Sequence, residues 1–480
     1  MSSMPEQTPF GAPMLAHFQF DPAFTNLNHG SFGTHPKPIQ KALHKYQSFA
    51  ESRPDPFIRY EQPAALDAAR HAIAAYLHAP VRDCVFVKNA TSGVNTVLRN
   101  LSFERGDAIL YFDTVYGAIG KTIASLEESS PARGVRIQYD FPITHEQLVE
   151  RFRATVRRVN SETVDIGGKQ QRRKAKVAVF ETVVSNPGIR LPFEDLVRVC
   201  REEGVLSLVD AAHAVGMIPV DLGRLRPDFW TSNCHKYSLP CLALTPLVQF
   251  DIYANVDERW LYTPRSCAVL YIPPENQPLI RTTLPTSWGF VSAAEEESDE
   301  PATAALTQQA ATPSKTRFEQ LFEFVATADD SPYLCVPDAL EFRAKTCGGE
   351  ERVFGYLDAL ANDGGDLVAR MLGTEVLQEG NGVASEQSRF RRCAMVNVRL
   401  PLDIGGEEGV SQEDVRAVVQ WVGETLIRTY GTYVPVFRYG DALWTRLSAQ
   451  VYLERKDFEW IGGVLGEVCE GIRRREYQTA

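Results

Sequence analysis

The sequence has no CxxC pair, no excess of positive charge, and no apolar run approaching the roughly 20 residues of a membrane span. Each absence removes a class of function. The nine cysteines are scattered and odd in number, which argues against a zinc knuckle or a disulfide framework and fits reduced thiols. No metal site is expected. A net charge of −11 leaves no basic face to neutralise phosphates, so no nucleic-acid partner is expected. No membrane partner is expected either. The opening residues, MSSMPEQTPFGAPM, lack a basic region followed by an apolar stretch, so a secretory signal is not expected and a cytoplasmic protein is.

What is present is a chain of 480 residues, 44% hydrophobic, enough for one large domain and a smaller one. Residues 61 to 290 alternate between helical patterns and short apolar runs. Residues 62–77 carry an amphipathic helical spacing, CVFV (84–87) reads as a strand, and SGVNTVLRNL as the next helix. AILYF, KVAVFETV (176–183) and VLSLVDAA (205–212) are continuous apolar runs of the kind parallel strands show when both faces are buried. The expectation is an α/β fold, a mainly parallel central sheet with helices on both faces, whose ligands sit at the carboxyl ends of strands. Beyond about residue 320 the pattern changes. CAMVNVRLP (393–401) and WTRLSAQVYL (444–453) alternate, and EDVRAVVQWVGETLI (413–427) is helical, as in a smaller α+β domain. Two segments fit no compact core. Residues 293–315 are acidic, then rich in Ala, Thr and Gln, and read as a disordered loop. Residues 237–259 are neither a convincing helix nor a convincing strand.

Polar residues gather where predicted strands end. NATSGVN (89–95) follows a strand and opens a helix, where backbone N–H groups and the Thr91 and Ser92 hydroxyls can hold a phosphate. The bland alternative is an ordinary helix cap made by Thr91 or Ser92. Asp210 closes a buried strand. A charged heterocyclic nitrogen would partner it, as would a helix cap or an arginine. Lys236 closes another strand, 26 residues on, where a lysine can form an imine with an aldehyde. Most lysines instead lie on the surface. In that order the three suit pyridoxal 5′-phosphate (PLP) on an α/β sheet.

LNHGSFG (27–33), NATSGVNTVLRN (89–100), YFDTVYGAIGKT (111–122), VDAAHAVG (209–216), SNCHK (232–236), LPTSWGF (284–290), EFVATADDSPY (323–333) and RLSAQVYLE (446–454) together resemble the class V aminotransferase family, of PLP fold type I. The branch is similar to the isopenicillin N epimerase-like proteins. With RPDPFIRY (53–60) added, it resembles fungal ergothioneine-biosynthesis lyases that act on hercynylcysteine sulfoxide. The resemblance implies a PLP-binding large domain over 61–320, a small C-terminal domain over 321–480, and a segment 1–60 serving the small domain and the site. It implies that Lys236 carries the cofactor and Asp210 pairs with the pyridine nitrogen. His213 and Ser185 would face the cofactor's phenolic oxygen. Thr91 and Ser92 would hold the phosphate, with Asn233 and His235 just before the lysine. Thr327 would reach the phosphate of a neighbouring subunit, hence a homodimer with shared sites. Arg446 would clamp the carboxylate of a small amino-acid substrate. Asn28 would line the substrate side, and Tyr116 would stack on the ring or protonate the leaving group. Arg53 and Arg59 are further candidates for substrate contact, against an ordinary surface role. The sequence departs from the family at Ala326, where Gly is usual, and at Trp288, where His is common.

The implied reaction is a β-elimination. Lys236 removes the α-proton, the Cβ–S bond breaks, and pyruvate and ammonia follow. Phe57, Tyr60 and Trp288 are available to line a trimethylammonium pocket, though such aromatics are more often core. Epimerisation at Cα uses the same lysine and clamp. A cysteine desulfurase needs a mobile nucleophilic cysteine, and Cys393, in FRRCAMVNV, reads instead as the start of a buried strand. A third reading is an inactive protein of this fold, if residues 237–259 block the lysine. Removing those 23 residues, 69 nucleotides, leaves NCHKWLYTPR, the family's uninterrupted pattern. The codons for Lys236-Tyr237 and Arg259-Trp260 can supply a GT donor and an AG acceptor. The segment therefore reads as a short retained intron, against a lineage-specific loop.

Overall fold

The continuous apolar runs become strands covered on both faces. The computed structural model describes residues 7–235, 260–296, 315–380, 382–405 and 409–478. Lys236, residues 237–259 and most of 293–315 lie outside the described residues. At the edges of the last segment, Ala293–Glu296 form one short helix and Lys315 pairs with Asp67 at 2.8 Å.

In chain order the strands are β1 Cys84–Val87, β2 Asp107–Phe112, β3 Arg133–Ile137, β4 Thr163–Ile166, β5 Lys169–Arg172, β6 Lys174–Glu181, β7 Leu206–Asp210, β8 Phe229–Asn233, β9 Ala268–Tyr271, β10 Met395–Asp403, β11 Val436–Tyr439 and β12 Ala442–Ser448. Seven form the central sheet in the order β1-β9-β8-β7-β6-β2-β3. Neighbours pair in parallel except at β9, which is antiparallel to β8 and to β1. The side chains alternate between two cores. Cys84, Phe86, Ala178, Phe180 and Val209 enter one; Val85, Val87, Val177, Val179 and Leu208 enter the other. Each Val, Leu or Phe among them contributes about 1.5–3 kcal/mol of burial. Strand β3, an edge strand reading RGVRI, has no apolar run to announce it, because most of it is only partly covered.

The second sheet is antiparallel, in the order β10-β12-β11. Helices Glu350–Leu372 and Arg455–Arg473 pack together beside it. The alternating stretch at 444–453 is strand only as far as Ser448; Gln450 and Tyr452 are buried beyond the strand's end. The N-terminal chain joins this region through backbone bonds from Gly11 to Val451 (2.8 Å) and from Ser448 to Leu27 (2.9 Å).

Candidate active site

Strands β1, β2, β6, β7 and β8 run the same way, so their carboxyl ends open on one side, and the loops that leave them converge. Asp210 ends β7 there, buried, in register with Glu181 of β6 and Thr231 of β8. Its Oδ1 accepts the Ala212 N–H at 3.1 Å, and His213 lies buried three residues on. Just past β6, the Ser185 hydroxyl and both amide atoms of Asn186 are buried without a hydrogen-bond partner among the described residues. An unsatisfied buried polar group costs about 1–3 kcal/mol. Three such atoms beside a buried carboxylate fit a polar occupant, as a pyridine ring with a phenolic oxygen would be. Asn186 was missed by sequence reasoning; a polar pair directly after a buried apolar run was the available signal.

The helix Ala90–Asn100 presents its N-terminus to the same place. Its cap is Asn89, whose Oδ1 accepts the Ser92 N–H at 2.7 Å and the Ser92 hydroxyl at 3.0 Å. The alternative reading, in which Thr91 or Ser92 is the cap, is therefore corrected. Asn233, the last residue of β8, accepts the Ala90 N–H at 2.9 Å. That anchors the first turn to the sheet and leaves Thr91, with its N–H and hydroxyl, as the donor still unused in the first turn among the described residues. The approach is close enough to require glycine. A Cβ on Gly93 would sit 2.3 Å from the Thr231 hydroxyl oxygen. A helix N-terminus held this way suits a phosphate.

Arg446 reaches the site from β12, fully buried. Its guanidinium donates to the Ser185 carbonyl at 2.6 Å, to Asn28 Oδ1 at 3.1 Å and to the Ser31 hydroxyl at 2.9 Å. The Ser31 hydroxyl in turn donates to Asn28. The side chain passes over Gly188, where a Cβ would lie 2.8 Å from Arg446 Cδ. A planar cation is thus fixed between the two sheets, directly on the wall that holds Ser185. Ser31 carried no sequence signal beyond its place in LNHGSFG.

Tyr116 caps the helix Gly117–Ser129, half-buried. Its N–H donates to Glu181 Oε1 at 2.8 Å. The adjoining Thr114 hydroxyl bonds the Tyr139 hydroxyl at 2.9 Å, and burial holds the Tyr139 phenol far above its ordinary pKa.

Other expectations are distributed as follows. His235 is buried with Nδ1 against the Cys267 backbone, immediately before Lys236, which lies outside the described residues. Thr327 is exposed on a bend. Arg53, in the bend between two helices, and Arg59, on a helical turn, are exposed and paired with Glu61 at 3.0 Å and Asp55 at 2.8 Å. Cys393 is buried two residues before β10. Phe57 is core, whereas Tyr60 and Trp288 are 69% and 71% exposed. Among the described residues, no His, Cys, Asp or Glu group could hold a metal, and no helix is long and apolar enough to cross a membrane.

The model of the Aminotransferase class-V family matches residues 36–240. The L-cysteine desulfhydrase-like protein lolT1 of Epichloe uncinata is 38% identical over 483 residues, covering 98% of each chain. The hercynylcysteine sulfoxide lyase of Schizosaccharomyces pombe is 27% identical over 470 residues, covering 97% of this chain and all of that one. A solved structure of a C-DES mutant, with glycine covalently linked to its PLP cofactor, has the same fold, with a TM-score of 0.64 at 18% identity over 95% of this chain and 98% of that one.

Proposed function

The chain belongs to the class-V aminotransferase family, and from that premise we propose that it is a C–S lyase acting by β-elimination on hercynylcysteine sulfoxide. It is a PLP-dependent enzyme, and the coarser activity, cleavage of a carbon–sulfur bond, is supported by the desulfhydrase-like and sulfoxide lyase relatives. The bound cofactor supplies an aldehyde for covalent capture of the substrate amine and an electron sink for the α-carbon. The residues around it divide the remaining work. Lys236 holds the cofactor and then takes the α-proton. Asp210 keeps the pyridine nitrogen protonated. Ser185, Asn186 and His213 would face the phenolic oxygen, and Thr91 would bind the phosphate, on a first turn that Asn233 anchors to the sheet and in which Asn89 takes both Ser92 donors. Arg446 and Asn28 would take the substrate carboxylate and so orient the α-carbon. Tyr116 would protonate the departing sulfur, and His235 anchors the chain just past β8 to the Cys267 backbone.

The observation that carries this reading is the bond from the Arg446 guanidinium to the Ser185 carbonyl. It sets a buried guanidinium directly against the chain that carries the Ser185 hydroxyl and the Asn186 amide. The bidentate geometry of arginine suits an α-carboxylate. Arg53 and Arg59 keep their surface ion pairs and act on substrate only when a second subunit or a loop brings them in. A homodimer in the cytoplasm, with Thr327 completing the neighbour's phosphate site, is part of the proposal. Its support is the exposed Thr327 and the exposed Trp288 and Phe290, on a turn tied by the Ser287–Leu321 bond of 2.7 Å to the helix Arg317–Glu323 that leads to Thr327.

A second reading, a cysteine desulfhydrase, is favoured by the lolT1 identity over the whole chain. One assay separates the possibilities. The purified protein is given hercynylcysteine sulfoxide, cysteine or an S-alkylcysteine, and pyruvate is followed. Pyruvate chiefly from the sulfoxide is the expected result. Pyruvate and sulfide chiefly from cysteine would replace the proposal with the desulfhydrase. Inversion at Cα without pyruvate would replace it with an epimerase. A loaded protein inert in every arm would support the third reading, a fold without turnover.

A further inference from the structure

We propose that Glu181 is a positioning residue that sets Tyr116 over the cofactor site through its bond to the Tyr116 backbone. The inference rests on the lyase reading for the role of Tyr116, but its geometry does not. Glu181 ends β6, buried, beside Asp210 in the register of the two parallel strands. Two neighbouring buried carboxylates repel each other and are costly to desolvate. The fold keeps both, and gives each a backbone N–H. Asp210 takes that of Ala212, while Glu181 reaches across β6 and β2 to take that of Tyr116, 65 residues back in sequence.

The loop from Asp113 to Tyr116 leaves β2 at the open side of the sheet. Its outer part is held from β3: the Asp113 N–H bonds the Ile137 carbonyl at 3.0 Å, and Thr114 bonds Tyr139. Its inner end is held by the Glu181 carboxylate at the Tyr116 N–H. The bonded group is the backbone of the residue that precedes the helix Gly117–Ser129, so the carboxylate fixes where that helix starts and where the Tyr116 Cα stands. A side chain in Glu181's position that cannot reach this N–H leaves it unsatisfied and frees the loop at its inner end. What Glu181 contributes is reach, and a neutral acceptor of equal length supplies the same reach.

The test is a titration of the apo-protein with PLP. It follows the visible absorbance of the lysine-bound cofactor and its induced circular dichroism, a signal that depends on the ring's surroundings. Glu181→Gln keeps the length and removes the charge. Glu181→Asp keeps the charge and falls one methylene short. With Glu181→Gln, dissociation constant and dichroism stay within about twofold of the parent. Glu181→Asp and Tyr116→Ala each weaken binding about tenfold and diminish the dichroic band, and the double variant is no weaker than the poorer single one, as for residues acting through one another. Three results would overturn the proposal: losses that multiply in the double variant, a Gln variant as weak as the Asp variant, or a Glu181→Asp protein indistinguishable from the parent. Since no substrate turns over in this titration, its outcome is independent of whether the sulfoxide is the substrate. Pyruvate release by a protein that fails the titration would leave the lyase reading standing and remove Glu181 from it.

Discussion

Arg446 is a buried cation whose donors are shared among a carbonyl, an amide oxygen and a hydroxyl. Lysine offers the charge without the planar fork. Arg446→Lys should therefore raise KM for the amino-acid substrate about 10–100-fold, the equivalent of one charged hydrogen bond, while the visible cofactor band persists. Unchanged KM in steady-state assays would remove Arg446 from carboxylate binding. Asp330 makes a different kind of prediction. Burial pushes its carboxyl up to about 6, with Asp329 adding to the rise and Lys88 and Gln62 opposing it. A carboxyl raised above its ordinary 3.8 favours folding fully at low pH, and that contribution is lost as the pH rises through about 6. Asp330→Asn should accordingly raise the melting temperature at pH 8 and leave it nearly unchanged at pH 4. A gain equal at both values, measured by differential scanning fluorimetry, would contradict the charge argument. Residue type and place at a strand end drew sequence reasoning to Asp210 and Lys236, while Arg446 came from the resemblance of RLSAQVYLE to the family. Asn186, Ser31 and Glu181 were not legible, since what distinguishes them is the partner each finds, or lacks, across the fold.

The helix Ala90–Asn100 shows how an element is made ready for an anion. Its sequence announced a helix start, and the structure assigned the cap to Asn89, two or three residues earlier than the hydroxyls that drew attention. Asn caps well because its side chain accepts from the first turn while its own backbone stays extended. Gly93→Ala places a methyl against Thr231. It should lower the melting temperature and weaken cofactor binding at least tenfold, an overpacking cost of about 1–3 kcal/mol. Thr231→Ala in the same chain should restore much of both. Failure of the second change to rescue the first, read by cofactor titration, would refute the close-packing explanation. The strands were legible for a simple reason. A strand covered on both faces carries consecutive apolar residues over its buried stretch, as CVFV of β1 and VAVF of β6 do. Edge strand β3 needs none and left no trace.

Across the whole molecule, the chain on either side of residues 237–259 is built into the core. His235 and Cys267 meet in the sheet, Trp260 and Leu261 are buried, and the Arg343 guanidinium donates to the Trp260 carbonyl at 2.7 Å. A protein in which Lys236 joins Trp260 directly should fold, take up PLP and show its visible band. In the native protein, the tryptic peptide YSLPCLALTPLVQFDIYANVDER, residues 237–259, should be missing. Detecting that peptide by mass spectrometry would establish the segment as part of the enzyme and overturn the intron reading. The amino-acid order settled the fold class and the cofactor, and it marked Asp210 and Lys236 as candidates, because these follow from local patterns: apolar runs, strand ends and residue chemistry. The folded chain settled which polar groups meet. Asn233 takes the N–H of Ala90, Arg446 comes to rest on Ser185, and Glu181 finds Tyr116. Such contacts join residues tens to hundreds of positions apart, and they exist only once parallel strands have brought their carboxyl ends together.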